Sequence, residues 1–197
     1  MLPLPRAILF DMDGTLTAPM LDFPRIKREM GIGAQPILEA LAQISPTHRA
    51  NAEAILLRHE QRAAMESTLN HGCRDVLGWL RERAMPTALI TRNSRLSVST
   101  VLARHGLSFD VLVTREDGRF KPDPEPLLLT CRTLGVAPAH AWMVGDGQYD
   151  VEAGLAAGVP TVWVSHGKEP TFTAKPWRVI RDLPGLRNML AACSVSC

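Results

Sequence analysis

The sequence predicts an α/β protein: a parallel sheet with helices on both faces, and an all-helical segment inserted near its start. Three observations carry this. Short apolar runs at residues 7–10, 87–91, 141–144 and 161–164 are separated by helical patterns, the order that right-handed crossovers turn into a parallel sheet. These runs are continuous, as in strands buried on both faces. Between residues 18 and 71 nothing reads as a strand.

The elements follow in order. Residues 7–10, Ala-Ile-Leu-Phe, form the first strand. Asp22 is a plausible N-cap for a short helix to Met30, with Pro24 in its first turn and Gly31 and Gly33 closing it. Pro36 opens a helix carrying Ile37, Leu38, Leu41 and Ile44. Ser45-Pro46, an N-cap followed by an N1 proline, starts the longest helix, expected to reach Leu69 with Leu57, Ala64, Met65 and Leu69 on its apolar face. His71-Gly72 ends it. A helix over 75–83 with Val76, Leu77, Trp79 and Leu80 leads to the strand at 87–91, and a helix over 94–105 closed by Gly106 leads to a strand at 109–114. Asp123-Pro124 starts a helix with Leu127, Leu128, Cys131 and Leu134 inward. The strand at 141–144 runs into Gly145-Asp146, a helix over 151–157 ends at Gly158, and the strand at 161–164 follows. Residues 178–180 suit an edge strand before a terminal helix near 185–192.

Composition excludes several function classes. A length of 197 residues suits one domain carrying an insert. The net charge of +2, without a dense Lys/Arg run, gives no footprint for nucleic acid. Four cysteines form no CxxC pair and six histidines lack zinc spacing, so Cys73, Cys131, Cys193 and Cys197 read as reduced thiols, the last two in a poorly ordered tail. Residues 1–10, broken by Pro3 and Pro5, are too short for a signal peptide, and no apolar run has membrane-spanning length. The expectation is a soluble cytoplasmic protein, monomer or homodimer, with no membrane or nucleic-acid partner.

The chemistry gathers at strand ends. Asp11 and Asp13 follow the first strand in the run Asp11-Met12-Asp13-Gly14-Thr15-Leu16-Thr17. On its own this stretch reads equally as an acidic turn. Thr91 ends another strand, Lys121 lies in the loop after the strand near Thr114, and Asp146 and Asp150 follow the strand at 141–144. In a parallel sheet these ends share one edge. Several carboxylates brought together call for a compensating cation, and Mg²⁺ is typically held by a few carboxylates together with substrate phosphate. Lys121, the Thr91 hydroxyl and the backbone N–H groups preceding the helix at Ser94 suit the phosphate's oxygens, with Arg92 and Asn93 as further substrate-binding candidates.

These residues resemble the haloacid dehalogenase superfamily. Residues 11–17 look like its motif I, DxDGT[LV]; Thr91 matches the motif II Ser/Thr; Lys121 in Lys121-Pro122-Asp123-Pro124 matches the motif III lysine; Gly145-Asp146-Gly147-Gln148-Tyr149-Asp150 matches GDxxxD of motif IV. The resemblance implies a Rossmann-like core over residues 1–17 and 73–197, with a helical cap at 18–72, as in the subgroup containing phosphoglycolate phosphatases and β-phosphoglucomutases. It implies that Asp11 is the nucleophile, Asp13 the general acid/base, and Asp11, the Asp13 backbone carbonyl and Asp146 the Mg²⁺ site, with Asp150 close by or bound through water. Thr91 and Lys121 would position the phosphate.

The implied activity is a Mg²⁺-dependent phosphatase acting on a small phosphorylated metabolite through an aspartyl-phosphate. Asp13 argues against a metal-independent dehalogenase, which lacks that second aspartate. A phosphomutase or phosphotransferase, and a non-catalytic binding or regulatory protein on the same fold, are the rivals. In the insert, Arg25, Lys27, Arg28, Arg58 and Arg62 read first as a solvated face and second as contacts for an anionic substrate. His59 and His71 read as surface or capping residues, and Trp79 and Trp142 as core.

Overall fold

A computed structural model describes residues 4–194. Six strands, β1 (Ala7–Phe10), β2 (Thr87–Ile90), β3 (Val111–Val113), β4 (Ala141–Gly145), β5 (Thr161–Val164) and β6 (Arg178–Ile180), form one sheet in the order β3-β2-β1-β4-β5-β6. Every neighbouring pair is parallel, with Leu9 opposite Ala88 on one side and Met143 on the other. Among the described residues the α-helices are α1 (Phe23–Met30), α2 (Ile37–Gln43), α3 (Pro46–Glu66), α4 (Cys73–Glu82), α5 (Arg95–His105), α6 (Glu125–Leu134), α7 (Gln148–Ala157) and α8 (Leu183–Ser194). The expected fold class is the one observed.

Contacts group the described residues into two compact units. The first draws on Met1–Pro19, Thr68–Arg92 and Ser108–Cys197, and holds the sheet with α4, α6, α7 and α8. Ala7, Leu9, Ala88, Ile90, Ala141 and Met143 pack with Leu127 and Cys131 of α6 and Ala153 and Ala157 of α7. Residues one step along the same strands, Ile8, Phe10, Leu89, Trp142 and Val144, are also buried. Side chains alternate across a sheet, so both faces are covered, as the continuous apolar runs predict. Trp79 is core as well.

The second unit is Met20–Ser67 with Asn93–Leu107, and holds α1, α2, α3 and α5. Asp22 caps α1 by accepting the Arg25 N–H at 2.9 Å. In α3 the structure corrects the expected apolar face. The buried stripe is Ala52, Ile55, Leu56, Glu60 and Ala64, while Met65 is 56% exposed. The helix also stops at Glu66, where Ser67 turns extended (φ −55°, ψ 145°) and Leu69 pairs with Thr17 in an isolated bridge. Helix α5 packs along α3, with Gln61 donating to Ser97 Oγ at 3.1 Å.

Other boundaries moved for local reasons. Gly72, left-handed at φ 79°, lets α4 begin at Cys73. Helix α7 begins at Gln148, which places Asp150 in its first turn. Cys193 is buried on α8 and not in a loose tail, because the terminal helix runs on to Ser194. Cys197 lies outside the described residues.

Candidate active site

The strand order places β1 and β4 side by side. From β1 the chain builds outward to β2 and β3, and from β4 it builds the other way to β5 and β6. Such a reversal opens a crevice at the carboxyl ends of the two central strands, where α/β sheets bind ligands. Asp11 leaves β1 there, its N–H donating to Val144 O of β4 at 2.9 Å. Asp146 leaves β4 at the same edge.

The turn after Asp11 is built by its own polar groups. Gly14 N–H donates to Thr17 O at 2.8 Å, and the Thr17 hydroxyl donates to Asp13 Oδ1 at 3.2 Å. Gly14 has φ 81°, and a Cβ there would lie 2.1 Å from Asp146 Oδ2, so only glycine allows this approach. Thr15 donates its hydroxyl to Asp146 Oδ1 at 3.3 Å, and Trp163 Nε1 donates to Asp146 O at 2.8 Å.

Lys121 closes the cluster. Its Nζ lies 2.7 Å from Asp11 Oδ1 and 2.6 Å from Asp150 Oδ1, with only 2% of the side chain exposed. Asp150 is fixed from its other oxygen, which accepts the Gly147 N–H at 3.0 Å. Oxygens of Asp11, Asp146 and Asp150 all lie within 4.8 Å of one another. The Asp13 carboxylate, facing Thr17, is outside that set. Arg92 donates to the Lys121 carbonyl, and its guanidinium stacks 4.2 Å from the Tyr149 ring centroid and 4.8 Å from that of Phe120. Thr91 is buried just beyond β2, its N–H bonded to Val113 O at 3.0 Å. Asn93 falls in the second unit, where the next residue's N–H donates to Glu60 Oε2 at 3.3 Å.

The electrostatics show which charge is missing. Burial alone would push the Lys121 ammonium down, but Asp11 and Asp150 outweigh it, and its pKa rises. Burial and the repulsion of Asp150 and Asp146 hold Asp11 well above the carboxylate range despite Lys121. Burial and then Asp150 push Asp146 up to about 6. Three carboxylates share one ammonium, and burial first, then like charge nearby, makes Asp11 and Asp146 hold their protons more tightly than usual. A hard divalent cation with oxygen ligands fits this donor set.

Of the five cations singled out in the insert, Arg25, Lys27, Arg58 and Arg62 are engaged on their own unit. Arg25 and Arg58 reach Glu29 at 2.9 and 3.1 Å, Arg62 reaches Glu66 at 3.1 Å, and Lys27 donates to Ala34 O at 2.9 Å. His59 joins Glu29 at 2.8 Å, and the hydrogen bonds from His59 and Arg25 bring the Glu29 carboxyl down to about 2. Such exposed pairs are screened by water and stabilise little, consistent with a solvated face.

Residues that the sequence reading missed also sit here. Asn70 Nδ2 contacts the carbonyls of Gly14, Thr15 and Thr17 at 3.0, 2.9 and 3.1 Å. His166, just past β5, places Nε2 2.6 Å from Gly14 O. Both address backbone oxygens, which leave no residue-type pattern to read.

The sequence model of the haloacid dehalogenase-like hydrolases matches residues 5–158. An N-acetylmuramic acid 6-phosphate phosphatase of Pseudomonas aeruginosa is 30% identical over 186 residues, covering 82% of each chain. A phosphoglycolate phosphatase of Chromobacterium violaceum is 30% identical over 217 residues, covering 94% of this chain and 96% of its own. In fold, a hydrolase from Pseudomonas syringae superposes with a TM-score of 0.81 at 20% identity, over 94% of this chain and 98% of that one. A family match across more than half of the sequence makes this chain a member of the haloacid dehalogenase-like hydrolases.

Proposed function

We propose that the protein is a Mg²⁺-dependent phosphatase that cleaves a small phosphate monoester through an aspartyl-phosphate on Asp11. The observation that carries this is the bridge from buried Lys121 to Asp11 and Asp150, with Asp146 completing the carboxylate cluster. Relatives named as phosphatases, at 30% identity over most of their length, support the same class.

In this reading Asp11, Asp146 and Asp150, with the Asp13 backbone carbonyl, would hold the ion. When bound, it supplies positive charge that offsets the phosphoryl oxygens and the carboxylates around them. Lys121 holds Asp11 Oδ1, leaving Oδ2 to attack phosphorus. The Asp11 O–P bond forms as the ester O–P bond breaks, and Asp13, oriented by Thr17, gives its proton to the leaving alkoxide. A water then attacks the phosphoryl group, Asp13 takes its proton, and inorganic phosphate leaves with the Asp11 carboxylate restored. Thr91 and Lys121 hold the phosphate oxygens. Arg92 holds the Lys121 loop through its carbonyl and the rings of Phe120 and Tyr149.

The test is release of phosphate from p-nitrophenyl phosphate and a panel of phosphorylated metabolites with Mg²⁺, beside an Asp11→Asn variant. Hydrolysis lost by roughly 10⁴-fold or more in the variant is expected. Activity surviving in Asp11→Asn sinks the nucleophile assignment. Phosphate passed to a sugar phosphate in preference to water replaces the phosphatase reading with a phosphomutase one.

A further inference from the structure

Two side chains from distant parts of the sequence meet at one backbone oxygen. Asn70 Nδ2 lies 3.0 Å from Gly14 O, and His166 Nε2 lies 2.6 Å from the same atom. A carbonyl oxygen has two lone pairs, so it can accept from both, with the two Asn70 N–H groups shared among the Gly14, Thr15 and Thr17 carbonyls. Asn70 is itself anchored: its backbone N–H donates to Leu16 O at 2.9 Å, and its amide spans the Thr15 and Thr17 carbonyls. His166 is anchored through its backbone N–H, which donates to Arg181 O at 2.9 Å. It holds φ 51°, a left-handed conformation uncommon outside glycine that persists where the surroundings over-determine it.

What this oxygen controls follows from its neighbours. The Gly14 Cα faces the Asp146 carboxylate so closely that no Cβ fits between them. The next residue, Thr15, donates its hydroxyl to Asp146 Oδ1. The Gly14 peptide is therefore the wall against which Asp146 lies, and its position sets that of the carboxylate relative to Asp11 and Asp150.

We propose that Asn70 and His166 are positioning residues. Holding the Gly14 carbonyl from two sides, they fix the Asp146 carboxylate and so set the affinity of the cluster for a divalent cation. The inference rests on the reading of that cluster as the cation site of a phosphatase. Groups that orient metal ligands from behind commonly change metal affinity by about 10- to 100-fold when removed. A purely structural role gives a different outcome: lower stability, with unchanged affinity in the protein that remains folded.

The experiment is calorimetric titration of the full chain with MgCl₂, for wild type, Asn70→Ala, His166→Phe and His166→Gln, each checked for folding by circular dichroism. Asn70→Ala and His166→Phe are expected to bind Mg²⁺ about 10- to 100-fold more weakly than wild type. His166→Gln, which keeps an N–H donor of similar reach, restores most of the affinity. The Mg²⁺ midpoint for p-nitrophenyl phosphate hydrolysis shifts by the same factor. Folded variants whose Kd stays within about twofold of wild type overturn the inference and leave the phosphatase reading standing. A wild-type protein with neither saturable Mg²⁺ binding nor hydrolysis overturns the reading beneath it. His166 is exposed at the end of β5, so its two variants decide the matter even if Asn70→Ala does not fold.

Discussion

Lys121 is the side chain on which the charge balance of the site turns. It brings one positive charge to three carboxylates and is itself almost wholly buried. Breaking a buried ion pair by deleting one partner costs about 3–5 kcal/mol, because the other charge is left uncompensated. Lys121→Met in EDTA at neutral pH is therefore expected to lose at least about 3 kcal/mol in urea denaturation. An unchanged midpoint would show that the carboxylates do not depend on it. Gly14→Ala tests the other close contact: a left-handed alanine costs roughly 1–2 kcal/mol, and its methyl group would displace the Asp146 carboxylate. Calorimetry should show Mg²⁺ binding lost in that variant while circular dichroism shows the fold retained. Lys121 was legible in the sequence because a parallel sheet sends the loops that follow its strands to one edge. It meets Asp11 across 110 residues of chain. Arg92 was read as a substrate-binding candidate, and nothing in residue order announces its stack on Phe120 and Tyr149.

At the scale of elements, strands and caps were easier to read than helix faces. Strands β1 and β4 stood out because apolar runs that short and unbroken suit only a sheet covered on both sides. Asp22, Ser94, Gly31, Gly106 and Gly158 marked helix ends by the hydrogen bonds or left-handed turns they make. In α3, however, apolar residues occur on several phases of the helix. Glu60, which a sequence reading keeps in water, is inside the unit and bound to the Ser94 N–H. One partner that makes this burial tolerable comes from the start of α5, well beyond the insert in sequence. Leu56→Ala on the buried stripe should lower stability by about 2–5 kcal/mol. Met65→Gln, at a position expected from sequence to be core, should stay within about 0.5 kcal/mol of wild type. Urea midpoints for the two variants check the assignment, and the reverse order would restore the original face.

For the whole molecule, the carboxylate cluster links folding to pH and to the cation. The Asp146 carboxyl is pushed up to about 6 from an ordinary 3.8. Between those values the cation-free folded protein keeps a proton that the unfolded chain has released, so this group lowers stability as pH rises through the window. One pKa unit corresponds to about 1.4 kcal/mol, which limits the effect to roughly 3 kcal/mol. In EDTA, Asp146→Asn should gain stability relative to wild type as pH rises from about 4 to about 6.5 and then level off, and added Mg²⁺ should stabilise wild type more than the variant. A wild-type-to-variant difference that does not change with pH would contradict the charge deficit. Among the described residues no helix is long and apolar enough to cross a membrane.

The account as a whole depends on Asp11 becoming phosphorylated. The direct measurement is a rapid acid quench of the protein turning over p-nitrophenyl phosphate with Mg²⁺, followed by borohydride reduction and peptide mass spectrometry. Borohydride converts an aspartyl-phosphate to homoserine, so the account predicts homoserine at position 11, dependent on both Mg²⁺ and ester. Hydrolysis that proceeds with Asp11 unmodified, or with the label at another carboxylate, would contradict it.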